Sequence, residues 1–305
     1  MTSRRVKPGV VLMLVGAMAL GCGGRVPVSP TRLTEDAGDE TSPAFSPDGK
    51  SVAYEWQESE GESDVWVVDL ETRKKRRVTW GPGRAGGPAW SPDGRWMVFE
   101  SNRDGRSNLY VVDAQTGEGK APDERARALT SGAATNGSPS WRPDGKSIAF
   151  ESDRNGRFDV WVMDADGSNP RVLTRSTSHD TDPAWSPDGK LIAFSSERTG
   201  NPDIWIVNGD GSHPRRLTTD AGRDRRPRWT PDSGQLVYMH APSGAYREFR
   251  QVFRNGTGAR GLFESATSIR DPVVSPDGKW LAFSSDHEGT YDLYLLALDS
   301  RTDTR

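Results

Sequence analysis

The residues of this chain best suited to chemistry are scattered. Its four histidines, His179, His213, His240 and His287, fall in separate stretches, without a His-Glu-x-x-His run or paired metal spacing. The richest grouping is His179-Asp180 with Asp182 two residues on. One imidazole and two carboxylates are the materials of a metal or acid–base site, and equally of a polar loop that holds its own turn. Asp164-Ala165-Asp166-Gly167 has the opening of a calcium loop but lacks the further carboxylates and the distal bidentate Glu. Asn208-Gly209-Asp210-Gly211 stands at the same place 44 residues later, so both read as repeat turns. No Gly-x-Ser-x-Gly elbow occurs. What does concentrate is positive charge, in Arg223-Asp224-Arg225-Arg226. Arginine's rigid fork of donors suits recognition more than turnover. These residues call for no catalytic group, no metal and no cofactor.

Elements that position such residues must be found in a chain that is 33% hydrophobic and 27% charged, with 11 Trp and 33 Gly. That is lean for one thick core and natural for many thin sheets with wet loops. A net charge of -3 gives a polyanion no reason to bind, so no nucleic-acid partner is expected. The first residues read as a targeting segment: basic Arg4, Arg5 and Lys7, then an apolar run from Val10 to Leu20. Eleven helical residues reach about 16 Å, too short for a hydrocarbon core of about 30 Å. Ala19-Leu20-Gly21-Cys22 resembles a bacterial lipoprotein cleavage box, which implies acylation of Cys22, the one cysteine of the chain. Acylation would remove the hazard of an unpaired thiol in an exported protein. The alternative is an ordinary cleaved signal peptide. The expected organisation is a signal peptide over 1–22, a tether over 23–30 and one domain over 31–305.

That domain is a repeat. Pro-Asp-Gly turns begin at Pro47, Pro92, Pro143, Pro187 and Pro276, with a Pro-Asp-Ser-Gly variant at Pro231, at spacings of 45, 51, 44, 44 and 45. Four residues before each stands another proline, from Pro43 to Pro272. Seven residues after each comes an aromatic: Tyr54, Phe99, Phe150, Phe194, Tyr238 and Phe283. A second aromatic follows, from Trp66 to Tyr294. Each unit reads as four short antiparallel strands, A to D: Pro-Ala-Trp-Ser, Ile-Ala-Phe, the alternating run about the second aromatic, and Arg-Leu-Thr. Arg32-Leu33-Thr34 is a strand D with no unit before it, and the unit beginning at Pro272 runs out before its own. The predicted fold is therefore an all-β, six-bladed β-propeller closed by the N-terminal strand completing the last blade.

The unit resembles the repeat of TolB-like propellers, most closely from Arg171 to Trp205, and the resemblance extends over about residues 31 to 300. It implies an envelope protein at the periplasmic face, here an outer-membrane lipoprotein anchored through its lipid. It also implies a monomeric, non-catalytic binding or scaffold module whose partner is a periplasmic protein or peptide, a Pal-like lipoprotein among them. Only about nine residues separate Cys22 from the first strand, so the mixed α/β domain that precedes the propeller in TolB is not expected. Asp64, Asn108, Asp159, Asp203 and Asp292 recur before the second aromatic, and Arg103, Arg154 and Arg198 recur in the adjoining loop. Groups present in most blades are expected to hold blades together. Function is sought where blades differ: at Arg247, Arg250 and Gln251, in the basic cluster, and in the insertion of about seven residues between Gln115 and Arg127. The D-to-A and B-to-C loops must share one face, so the candidate partner-binding residues are His179, Asp180, Asp182, Arg225, Arg226, Arg270 and Asp271. An enzyme acting on glycans or peptides at the channel mouth is the alternative reading.

Overall fold

The computed structural model describes residues 29–115 and 126–298, so Cys22, the leader and most of the tether lie outside the described residues. The described chain contains no helix and therefore none long and apolar enough to cross a membrane. A short β1 (Thr31–Arg32) precedes the first blade of β2 (Asp39–Phe45), β3 (Ser51–Ser59), β4 (Glu62–Asp69) and β5 (Lys75–Arg77). The second blade is β6 (Ala85–Trp90), β7 (Trp96–Ser101), β8 (Asn108–Asp113) and β9 (Arg127–Ala128). The third is β10 (Asn136–Trp141), β11 (Ser147–Ser152), β12 (Asp159–Asp164) and β13 (Arg171–Val172). The fourth is β14 (Asp180–Trp185), β15 (Leu191–Ser196), β16 (Asp203–Asn208) and β17 (Arg215–Arg216). The fifth is β18 (Arg223–Trp229), β19 (Gln235–Ala241), β20 (Glu248–Phe253) and β21 (Arg260–Glu264). β22 (Ile269–Val274), β23 (Trp280–Ser285) and β24 (Asp292–Ala297) begin the sixth, and β1 completes it in the order β1-β24-β23-β22.

The seam copies the chemistry of the other blades. Thr31 pairs with Leu295 and Arg32 with Tyr294. Thr34 Oγ1 accepts the Leu293 N–H at 3.0 Å, as Thr79, Thr130, Thr174 and Thr218 accept from strand C of their own blades. Arg32 reaches Asp292 at 2.7 Å, the counterpart of Arg216 with Asp203 and of Arg77 with Asp64. In these three blades the Asp before the second aromatic is thus the anchor of strand D, whereas Asp159 of the third blade pairs with Arg157. The recurrent loop arginine has a second structural task. The Arg198 guanidinium lies over Phe194 and Trp205 and pairs with Asp180 at 2.9 Å; Arg154 lies likewise over Phe150 and Trp161.

The strand B aromatics are at most 1% exposed and form the pillars of the blades. Blade is stapled to blade near the axis: the indole N–H groups of Trp90, Trp141 and Trp229 donate to the carbonyls of Ala44, Ala89 and Ala184 of the preceding blade.

Strand A starts about three residues before its proline rather than at it, because the strand continues through a bulge. Register shifts at the same place in all six blades, between Thr41 and Ala44 in the first and between Arg225 and Arg228 in the fifth. The residue before the proline is left-handed each time: Ser42, Gly87, Ser138, Asp182, Arg226 and Asp271, with φ between 50° and 58°. A proline has no N–H for the ladder, and the bulge takes it out of the pairing pattern.

Candidate functional site

Strand A of every blade lines the central channel, and the bulges aim the residues before the prolines into it. Toward the D-to-A and B-to-C loops the channel holds a polar cavity of about 210 Å³ lined by Glu55, Arg84, Glu100, Arg226, Arg228, Arg270 and Asp271 among others. Two of these acids, Glu55 and Glu100, come from one repeat position, directly after the strand B aromatic. There Glu55, Glu100 and Glu151 stand where the other blades carry Ser195, Met239 and Ser284. Glu100 accepts the Ser138 N–H at 2.7 Å and Glu151 the Asp182 N–H at 2.8 Å, so each carboxylate fastens the next blade's bulge. Burial pushes both Glu100 and Glu151 up to about 7.

The basic half of the cavity comes from the fifth blade. Arg226 Nη1 lies 2.5 Å from Asp271 and its Nε 3.9 Å from Asp182, and the charge of Asp271 foremost holds the guanidinium protonated. Arg226, Asp182 and Asp271 therefore meet in one ion cluster, as the sequence grouped them. Arg225 turns outward instead, to Glu197 at 2.5 Å and to Thr181. Arg270 lies flat on Tyr291, 3.3 Å from the ring centre. Beside it, between the fifth and sixth blades, is a cleft of about 370 Å³ lined by Arg226, Met239, Tyr246, Arg270 and Tyr291.

Two residues of the candidate set face elsewhere. Asp180 is fully buried, bonded to Ser196 Oγ at 2.6 Å and paired with Arg198, so it holds strand A to strand B. Its position recurs as Asn136, which accepts from Arg154, and as Asp224, whose carboxylate lies 2.7 Å from His240 Nδ1. Exposed His179 accepts the Phe158 N–H on its Nδ1 at 3.2 Å and stands 5.9 Å from that ring. Among the described residues no group of three or more His, Cys, Asp or Glu is placed to hold a metal.

Sequence reasoning did not single out Glu55, Glu100, Glu151, Arg228, Tyr246 or Tyr291. The glutamates had a signal: a carboxylate at one repeat position, inside an apolar strand, in three consecutive blades. The tyrosines had none, since they lie in loops outside the repeat pattern.

A family model for the TolB beta propeller domain matches residues 28–123 and 120–305. The Tol-Pal system protein TolB of Francisella tularensis subsp. mediasiatica is 38% identical over 123 residues, which are 39% of this chain and 26% of that protein. The chain thus matches about a quarter of the length of this curated relative. Among solved structures, the putative TolB from Agrobacterium tumefaciens superposes with a TM-score of 0.68 at 24% identity, covering 87% of this chain and 92% of the other. The oligogalacturonate lyase from Vibrio parahaemolyticus superposes with a TM-score of 0.61 at 15% identity, covering 90% and 94%. At those identities the two structures speak for the fold alone.

Proposed function

This chain belongs to the family of the TolB beta propeller domain, and we propose that it is a non-catalytic binding module of the cell envelope. In this reading it is exported, anchored through acylated Cys22 at the periplasmic face of the outer membrane, and monomeric. It docks a periplasmic protein or peptide on the face of the D-to-A and B-to-C loops, in a role related to the Tol-Pal system. The observation that carries the reading is the cleft between the fifth and sixth blades, where Arg270 lies on Tyr291 beside Tyr246 and Met239. Tyrosine, methionine and arginine are enriched at protein interfaces, and a pocket that takes an anchoring side chain concentrates binding energy.

The test is capture from envelope fractions by the mature protein, its Arg270→Glu variant and its Tyr291→Ala variant. Capture of a defined protein should fall at least about tenfold in both variants, equivalent to about 1.4 kcal/mol, while their melting temperatures stay near that of the parent. Undiminished capture by both would remove the cleft from the site.

A second reading, an enzyme acting on glycans or peptides, draws on Glu100 and Glu151, two convergent carboxyls poised near neutrality as general acids and bases require. Each already fastens a neighbouring bulge, which accounts for its presence without turnover. Glycan or peptide cleavage that disappears in Glu100→Gln and Glu151→Gln would favour the enzyme.

A further inference from the structure

Beyond the polar cavity, toward the Pro-Asp-Gly turns, the channel changes character. A second cavity of about 300 Å³ is lined by strand A prolines and alanines, by Trp90, Trp141, Trp185 and Trp229, and by Val273 and Val274. In this apolar lining there is a single charged side chain, Arg228. It borders both cavities and so stands where the polar part of the channel gives way to the apolar part.

The position is peculiar to one blade. The residue after the strand A proline is Ala44, Ala89, Ser140, Ala184 and Val273 in the other five, all small or apolar. Arg228 donates from Nη1 to the Pro227 carbonyl at 2.9 Å and makes no ion pair among the described residues, whereas its neighbour Arg226 takes Asp271 and Asp182. Burial, with the charge of Arg226 behind it, weakens the hold of Arg228 on its proton, and Asp182, Asp271 and Glu151 offset this in part. A half-buried cation bordering a cavity that holds no other charged side chain gains from an anion entering that cavity.

We propose that this cavity binds an apolar carboxylate, with the carboxylate on the free donors of Arg228 and the hydrocarbon among the prolines and tryptophans. The guanidinium has five N–H groups in a planar fork that matches a carboxylate with two parallel bonds. The cavity is equivalent to about ten waters at roughly 30 Å³ each, enough for a branched or aromatic side chain carrying its acid group. Two sources present this chemistry: a free short-chain acid, or the terminal residue of a polypeptide ending in an apolar side chain. The site faces away from the loop face and is independent of the docking proposed there.

The experiment titrates the mature protein with 4-methylvalerate, with 4-methylvaleramide, and with a tetrapeptide ending in leucine, its carboxyl free or amidated. Binding is read by calorimetry and by the fluorescence of the lining tryptophans. Arg228→Ala is the matched variant, because three blades already carry alanine at this place; circular dichroism and melting confirm its fold. Saturable binding of either free carboxylate, at least about tenfold weaker for its amide and for Arg228→Ala, supports the proposal. Binding of the free acid alone identifies a small-molecule source, and tighter binding of the peptide identifies a chain terminus. Equal binding of acid and amide, equal binding by the variant, or no saturable binding of either carboxylate overturns it.

Discussion

Glu40 offers the sharpest test of how this ring is closed. It stands near the start of strand A of the first blade, where the third, fourth and fifth blades carry Asn136, Asp180 and Asp224, each with a partner on strand B or in the loop that follows it. Glu40 faces Trp56 instead, is fully buried, and neither carboxylate oxygen has a hydrogen-bond partner. Lys75 comes within 3.6 Å but is also engaged by Asp36. Burial accordingly pushes Glu40 from 4.5 up to about 7. Folded protein then keeps a proton that unfolded chain releases above about pH 4.5, so this group's contribution to stability falls as pH rises toward 7 and levels off above it. The rise from 4.5 to about 7 amounts to roughly 3 kcal/mol, of which about 2–3 kcal/mol falls between pH 5 and pH 8. Glu40→Gln abolishes that share. Because a buried amide carries its own desolvation cost at every pH, the quantity to compare is the difference between the two pH values. Urea unfolding of parent and variant at pH 5 and pH 8 measures it. The parent should lose about 2–3 kcal/mol more than the variant over that interval, or roughly 4–6 °C in melting temperature. Equal losses would refute an ionising, unpartnered Glu40 at the seam.

Other perturbations separate the parts of the ring. Thr34→Val leaves the buried Leu293 N–H without its acceptor and should cost about 1–2 kcal/mol in urea unfolding, matched by Thr174→Val within the third blade. Arg226→Ala strips Asp271 of its cation; with the Arg226 side chain 39% exposed, a loss of about 1–3 kcal/mol is expected, partly restored by adding Asp271→Asn. Arg198→Ala removes the cover of Trp205 and the partner of Asp180, destabilising by about 2–3 kcal/mol near neutrality. Urea unfolding of parent and variant measures this loss.

The architecture was legible in the sequence because a repeat states its own boundaries. Pro-Asp-Gly turns and two aromatics at rigid offsets mark strand ends and blade pillars, and the Arg-Leu-Thr ahead of the first blade marks the strand that pairs with β24. The bulge was not legible. It depends on the residue before the proline taking a left-handed backbone in all six blades, and Ser, Gly, Asp and Arg share that place without a common side chain. The candidate site was legible in part. Placing the D-to-A and B-to-C loops on one face led to Arg226, Arg270 and Asp271, which line the channel, and to Arg225, which turns outward. The same reasoning included Asp180, whose true partners, Ser196 and Arg198, are visible only once strand B is laid beside strand A. Tyr246 and Tyr291 escaped notice because cleft walls formed by loops of two successive blades carry no periodicity.

The way the ring is sealed also sets an order of events as the polypeptide is made. The strand bearing Arg32 is made before any of the blades, yet its partner Asp292 lies 260 residues downstream. Until β24 exists, the leading strand has no mate and the growing row of blades has a bare flank. Bringing such distant segments together costs roughly 5 kcal/mol of chain freedom by the logarithmic length term alone. Ribosomal stalling or proteolytic clipping short of residue 292 would therefore leave two sticky margins on one molecule, each shaped to accept a strand from another copy. Synthesis of β24 turns that hazard into the latch of the ring.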